Sequence, residues 1–343
     1  MTPPVPPQPP IYHAFGTTVE LVTDALRPQA ALRLVAQRGQ DVGLAARRLL
    51  ESASAGRIDL SLLFACLGPG EHGPRSVRQV ALGVPGSGRT AAVFLSEPPV
   101  SGDPDGPETG TIERAACAEG LAQHLAATQP GVVRLLQSLP EPQDLWNINA
   151  LRVAGFVNVG QLVYLRRSLG RSYTPRGYEP ALPGGITLRP LSVIPGTLDE
   201  HRPMLVGMLE ETYIETLDCP ALCGLRETGD ILDSHLAVGQ FDPSMWFLVM
   251  DGSRPAGCVL LSEVPDQRAY ELVYFGLAPR IRGRGLGGRL LEIATRRVAA
   301  RGGEALLCAV DRDNAPAVHL YERAGFKPFG ERSALVRAVP SAV

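Results

Sequence analysis

Between Arg280 and Gly288 the chain sets three arginines and four glycines in nine residues, RIRGRGLGG, ahead of an amphipathic run. The free N–H groups and partial positive charge of a helix N-terminus make such a junction a ready anion site. Glycines at 283, 285 and 287 let backbone approach a phosphate with no Cβ in the way. Arg280, Arg282 and Arg284 add charge, which suits a diphosphate better than a single carboxylate. Two phosphate-binding patterns are to be weighed against this. Gly283, Gly285 and Gly288 satisfy the dinucleotide G-x-G-x-x-G spacing. However, that fingerprint should follow its strand directly in a multi-unit βαβ fold, and here Pro279 to Arg282 intervene and only one strand–helix–strand remains. No Gly-Lys-Ser/Thr occurs, which excludes a P-loop.

The loop needs a strand before it and a helix after it, and the second half supplies both. Ile186–Leu191 reads as a strand, and Pro203–Thr216 and Glu227–Val238 as helices, the first opening on proline. Met245–Met250, Pro255–Glu263 and Arg268–Leu277 read as strands. A helix over Gly285–Arg301 follows, with an apolar stripe of Leu290, Ile293, Ala294 and Val298. Then come a strand at Ala305–Val310, a helix at Ala315–Ala324 and a strand at Ser333–Val336. The first half repeats this order more weakly: a helix at Asp41–Ser54, strands at Leu60–Leu67, Arg78–Val84 and Ala91–Leu95, a helix at Thr111–Ala127, a strand at Val132–Leu135 and a helix ending at Ala154. Both halves reach an Ala-Gly-Phe helix stop, at Gly155 and Gly325, and then a strand.

At 343 residues the chain suits two domains. A proline-rich tail (1–15) with no signal-peptide character, a first domain (16–168), a Gly/Pro-rich linker (169–185) and a second domain (186–343) are expected. The net charge of −2 gives no footprint for nucleic acid or membrane. Lys327 is the only lysine, so a Schiff base elsewhere is excluded. Of the six cysteines only Cys219 and Cys223 lie close together, with no histidine at ligand spacing; no metal site is expected. A cytoplasmic location is the default reading.

Arg282-x-x-Gly285-x-Gly287 at a strand-to-helix junction, followed by Asp313-Asn314-Ala315-Pro316-Ala317 and Leu320-Tyr321-Glu322-Arg323-Ala324-Gly325-Phe326, resembles the GNAT superfamily of N-acetyltransferases. The resemblance covers Ile186 to about Val336. It implies an α/β (α+β) fold, two tandem domains each with a mixed, mostly antiparallel sheet flanked by helices, and acetyl-CoA as cofactor. The loop amides from Arg282 through Gly283, Arg284, Gly285, Leu286, Gly287 and Gly288 would hold the diphosphate. Phe275, Gly276 and Leu277 would pair with the pantetheine arm, and Asn314 and Ala317 would contact the cofactor.

An acetyl thioester is already activated, so the remaining work is to position an amine, take its proton and return one to the thiolate. By resemblance Glu271 is the base and Tyr321 the acid. Strand alternation puts Glu271 on a face with Val273, Phe275 and Leu277, an apolar setting that raises its pKa. Glu211, Glu215 and Asp218 fall at i, i+4 and i+7 of the expected acceptor-side helix, a face that attracts a cationic amine. The ordinary alternatives are an exposed glutamate, a tyrosine packed on the sheet and a solvated acidic face.

The two-copy arrangement resembles the tandem acetyltransferases, of which mycothiol synthase is one, although no motif specifies that substrate. Aligned on the helix stops, Leu151 replaces Tyr321 and Asp144 replaces Asn314. The loop becomes Ser96 to Asp105, acidic and proline-rich. The first domain is therefore expected to bind no cofactor and to be structural, or to wall one side of the acceptor pocket. The acceptor is a small-molecule or peptide amine. A non-catalytic acyl-CoA-binding regulator on the same scaffold is the other reading, disfavoured because a binder needs neither Glu271 nor Tyr321.

Overall fold

The computed structural model describes residues 9–36, 41–70, 73–99, 102–103, 105–170 and 177–340. The chain divides into two compact units, Met1–Asn158 with Ser333–Val343, and Val159–Arg332.

The first unit contains β1 (Ile11–Ala14), β2 (Thr17–Leu21), α1 (Arg27–Leu34), α2 (Val42–Ser54), β3 (Leu63–Gly70), β4 (Gly73–Gly86), β5 (Thr90–Leu95), α3 (Gly106–Thr128), β6 (Leu135–Ser138) and α4 (Leu145–Val153). Strands β1 to β5 form an antiparallel run, and β6 joins β5 in parallel. The long α3 is buried along Arg114–Ala118 and again at Leu121, Ala122 and Leu125, against Val19, Phe64 and Ala81 of the sheet. Helices α1 and α2 cover the other face through Leu63, Val80 and Leu82. Strand β1 lies within the stretch expected to be a tail; residues 1–8 fall outside the described residues.

The second unit carries β7 (Val157–Ser168, from Val159), β8 (Ile186–Pro190), α5 (Leu198–Tyr213), α6 (Thr228–Leu236), β9 (Trp246–Asp251), β10 (Arg254–Val264), β11 (Ala269–Leu277), α7 (Leu286–Ala300), β12 (Ala305–Asp311) and α8 (Ala315–Arg323). Its strand order is β7-β12-β11-β10-β9-β8, parallel only between β11 and β12. Helices α7 and α8 pack one face through Leu286, Leu290, Leu291 and Tyr321, with Ile281 and Phe326 from the flanking segments. Each fully buried leucine contributes about 1.5–3 kcal/mol. Helix α5 packs the other face around Trp246, with Leu205, Met208, Leu209 and, from α6, Leu232.

Two features depart from the expected boundaries. Strand β7, which closes the first half of the sequence, pairs with β12 from Ala305↔Ser168 to Asp311↔Leu162. The last strand, β13 (Lys327–Ala338), pairs with β6 from Leu335↔Ser138 to Ala338↔Leu135. Alternation identifies each as a strand and fixes which side chains face the core, but it does not encode which neighbour supplies the hydrogen bonds. In addition, α5 starts at Leu198, not at Pro203. Thr197 and Glu200 form a capping box, with the Thr197 N–H donating to Glu200 Oε2 at 2.6 Å. Pro203 lies inside the helix and costs it one backbone bond.

Candidate active site

Strands β11 and β12 pair only over Ala269–Glu271 and Ala305–Leu307. Beyond that they part, and the gap opens into a pocket of about 460 Å³. Leu272 to Leu277 line one side; Ala309, Val310, Asn314, Pro316, Ala317, Leu320 and Tyr321 line the other. The volume is within the range of ligand sites, roughly 300–1,000 Å³. The freed edge of β11 leaves backbone amides available to an extended, amide-containing ligand.

A bulge shapes this strand. Leu260 pairs with Tyr274 and Leu261 with Leu272, so Val273 has no partner and the alternation flips there. Leu272, Phe275 and Leu277 therefore face α7 and α8, whereas Val273 and Tyr274 face α5. Glu271 consequently does not share a face with Phe275 and Leu277, contrary to the simple period of two. It lies on the α5 side, opposite Ser262 of β10 and Leu307 of β12. Burial holds its carboxyl above the usual carboxylate range.

Tyr321 sits on the other side of the sheet, 7% exposed and edge-on to Phe326. Its hydroxyl makes no hydrogen bond to any described residue, and the side chain lines the pocket. Burial pushes the phenol well above its ordinary value, and the Cys308 and Asp218 side chains add to the effect. A phenol in that state keeps its proton until a strong base arrives beside it.

The loop between β11 and α7 turns on two left-handed glycines. Gly283 and Gly285 have φ of 74° and 70°, the left-handed region that other residues occupy only at a cost. A Cβ on Gly287 would lie 3.1 Å from Leu320 of α8. No amide from Gly283 to Gly288 bonds to a carbonyl among the described residues. The arginines beside the loop are anchored by their own bonds. Arg282 donates to the carbonyls of Leu277 and Thr212, both at 2.8 Å, and to that of Glu215 at 3.3 Å. Arg284 reaches the carbonyl of Arg280, and Arg280 reaches that of Pro255 and the Glu211 carboxylate. Their guanidinium groups brace the loop, and the bare amides are what remains for a ligand. Leu286 is buried in the core and offers only its amide.

Asn314 caps α8, accepting from the Ala317 N–H at 3.3 Å, and lines the pocket with Ala317. A second concavity of about 670 Å³ meets the first at Gly287, Pro316 and Leu320; Arg167, Gly285, Gly288, His319 and Arg323 also line it.

The acidic trio expected on one helix face is not one. Helix α5 ends at Tyr213, Glu215 has φ 54°, and Asp218 lies beyond. Glu211 is held by Arg280 and Arg254, whose bonds keep its carboxyl below the ordinary value. Both of its partners are cations, and Glu211 does not line the pocket. Glu215 and Asp218 do line the pocket. Asp218 is open to water yet ringed by protein; burial and the charge of Asp311 raise its carboxyl, against a backbone bond from Asp311 that lowers it. Asp311 went unnoticed in the sequence, although an acidic residue at a strand end beside Asp313-Asn314 was a signal. Among the described residues, no cluster of ligating side chains could hold a metal and no helix is long and apolar enough to cross a membrane.

Residues 211–326 match the acetyltransferase (GNAT) family model. The chain is 30% identical over 182 residues to a mycothiol acetyltransferase of Streptomyces bingchenggensis, covering 52% of this chain and 54% of the relative. It is 31% identical over 179 residues to one of Streptomyces scabiei, covering 51% and 53%. The chain thus spans about half the length of the curated relatives it matches. Among solved structures, a GCN5-related N-acetyltransferase from Sphaerobacter thermophilus has the same fold over 95% of this chain and 96% of its own, with a TM-score of 0.58 at 18% identity. The parted strands, the bare-amide loop and the Asn-capped helix with its tyrosine thus belong to a GNAT acetyltransferase domain, matched over residues 211–326.

Proposed function

We propose that the chain is an acetyl-CoA-dependent N-acetyltransferase that acetylates the primary amine of a small molecule by direct attack on the thioester. One observation carries the reading above all: the uncommitted amides of Gly283 to Gly288 stand at the end of a strand gap that leads to the Tyr321 hydroxyl. The residues fit coenzyme A. The amides suit its diphosphate, the free edge of β11 its pantetheine amides, and the concavity with His319 and Arg323 its nucleotide end. When bound, acetyl-CoA supplies the activated acetyl group.

Glu271 and Tyr321 face opposite sides of the sheet where β11 and β12 part. Glu271, on the α5 side, takes the proton of the incoming amine, directly or through a water. Its raised pKa brings it closer to the strength a base needs near neutral pH. Tyr321, on the α8 side, gives its proton to the departing sulfur. Asp218 and Glu215, at the wall of the pocket, attract a cationic amine. The relatives named mycothiol acetyltransferase support a small-molecule acceptor.

Thiol release from acetyl-CoA tests this with glucosamine, 2-phenylethylamine and putrescine as amines. Turnover with at least one of them is expected, and Tyr321→Phe should lower kcat by about 10²-fold, the scale of a lost general acid. A Tyr321→Phe variant with full turnover would remove Tyr321 from its role. No release with any amine, despite coenzyme A binding, would favour a non-catalytic binder.

A further inference from the structure

One wall of the pocket belongs to no regular element. From the end of α5 the chain passes through Glu215, Thr216, Leu217 and Asp218, all of which line the pocket, to Cys219. Two of its backbones are left-handed, Glu215 at φ 54° and Cys219 at φ 43°. Side chains there persist only when their surroundings enforce the conformation. Something must hold this wall at both ends.

At one end the holder is Arg282, whose guanidinium ties the carbonyls of Thr212 and Glu215 to the end of β11. At the other end it is Asp311, the last residue of β12 and 3% exposed. Asp311 Oδ2 accepts from the Cys219 N–H at 3.0 Å, and Oδ1 from the Asp313 N–H at 3.0 Å. Its own N–H donates to Asp218 Oδ1 at 3.1 Å. Wall and strand end therefore exchange bonds in both directions. Among the described residues no cation pairs with Asp311, so backbone donors hold the carboxylate, and such charge-assisted bonds are strong. The seat is also tight. A Cβ on Gly160 of β7 would lie 2.6 Å from Cys219 Sγ and 3.1 Å from Asp311 Oδ2. With both oxygens of Asp311 occupied, it is Asp218 that keeps one free: Oδ2 meets no donor among the described residues.

We infer that Asp311 is a positioning residue for the acceptor: by pinning Cys219 and Asp218 it fixes the wall that receives the cationic amine and aims the free oxygen of Asp218 at it. The inference rests on the acetyltransferase reading above. It assigns Asp311 no contact with substrate, and the amine's proton still leaves to Glu271.

Asp311→Asn keeps the size but sets an amide NH₂ against a backbone N–H. Gly160→Ala presses on the same seat from β7 and leaves Asp311 intact, which covers the case in which one variant folds poorly. For each, three quantities are measured: the KM of the fastest of the three amines, the Kd of coenzyme A by calorimetry, and hydrogen exchange over residues 214–222. Both variants should raise the amine KM roughly tenfold, the effect of losing one such bond. Coenzyme A affinity should stay within about twofold, and exchange over 214–222 should quicken. An unchanged amine KM in an active enzyme, or a coenzyme A Kd that worsens as much as the amine KM, would overturn the inference. A wild-type chain that leaves acetyl-CoA intact with every amine would instead sink the acetyltransferase reading. In that event the exchange data alone still decide whether Asp311 holds the wall, with unaltered exchange counting against it.

Discussion

The junctions β5–α3 and β11–α7 occupy the same place in their respective sheets, each ahead of the single parallel strand pair. They treat negative charge in opposite ways. In the first unit the chain supplies its own anion. Asp103 accepts two bonds from buried Arg114, at 2.7 and 3.0 Å, and a third from Gln79 at 2.8 Å. Arg114 also donates to the Ser96 carbonyl and lies over the Trp146 ring. The helix start also offers fewer amides: the Gly106 N–H bonds to the Asp103 carbonyl, and Pro107 has no N–H. In the second unit the arginines bond to carbonyls and to Glu211, and the amides of Gly283 to Gly288 meet no carbonyl among the described residues. One scaffold thus holds a sealed ion pair at one junction and unbonded amides at the other. What decides is whether a carboxylate of the loop folds back onto the helix.

The largest effect that sharpens this contrast is in stability. Asp103→Ala strands a buried guanidinium, since Arg114 and Asp103 side chains are 1% and 3% exposed. The expected loss is about 3–5 kcal/mol. It would be read as a lower urea midpoint for the first unit, while the coenzyme A affinity of the second unit stays put. An unmoved midpoint would mean that the internal anion is not what satisfies Arg114.

A smaller effect concerns Glu271. Its folded pKa lies above the unfolded one because burial disfavours the charge. That group therefore favours the folded state most at low pH, and the contribution is lost as pH rises through the folded value. Glu271→Gln removes the penalty. At pH 7 the variant should melt about 2 °C higher, and the gap should close below the ordinary carboxyl range, as thermal scans across pH would reveal. The same variant should lose the acidic limb of the rate profile. A gap that persists at low pH would assign the gain to packing instead.

Much of the second unit was legible because its signals are local. The stripe of α7 is buried as its spacing implies. Gly155 and Gly325 take φ of 81° and 83° at the two helix stops, and Asn314 caps its helix. What escaped was set by distant partners. The bulge at Val273 leaves an unbroken apolar run in the sequence, so Glu271 was rightly grouped with Val273 but wrongly with Phe275 and Leu277. Glu211 looked available because Arg254 and Arg280, which hold it, lie far along the chain. The bracing by Arg282 escaped because two of the carbonyls it takes up, those of Thr212 and Glu215, lie about 70 residues earlier in the chain. Proline at 203 outweighed the Thr197–Glu200 pair as a helix start, though the pair was there to be read. The partners of β7 and β13 depend on tertiary pairing that neither strand encodes.

Hydrogen exchange at the amides of Gly283 to Gly288, with and without coenzyme A, tests the cradle most directly. Binding of the diphosphate there predicts roughly tenfold or greater slowing at those positions, none in the Ser96–Asp105 loop, and no slowing by NAD. Coenzyme A that binds while these amides exchange as before, or that slows the first unit's loop instead, would contradict it.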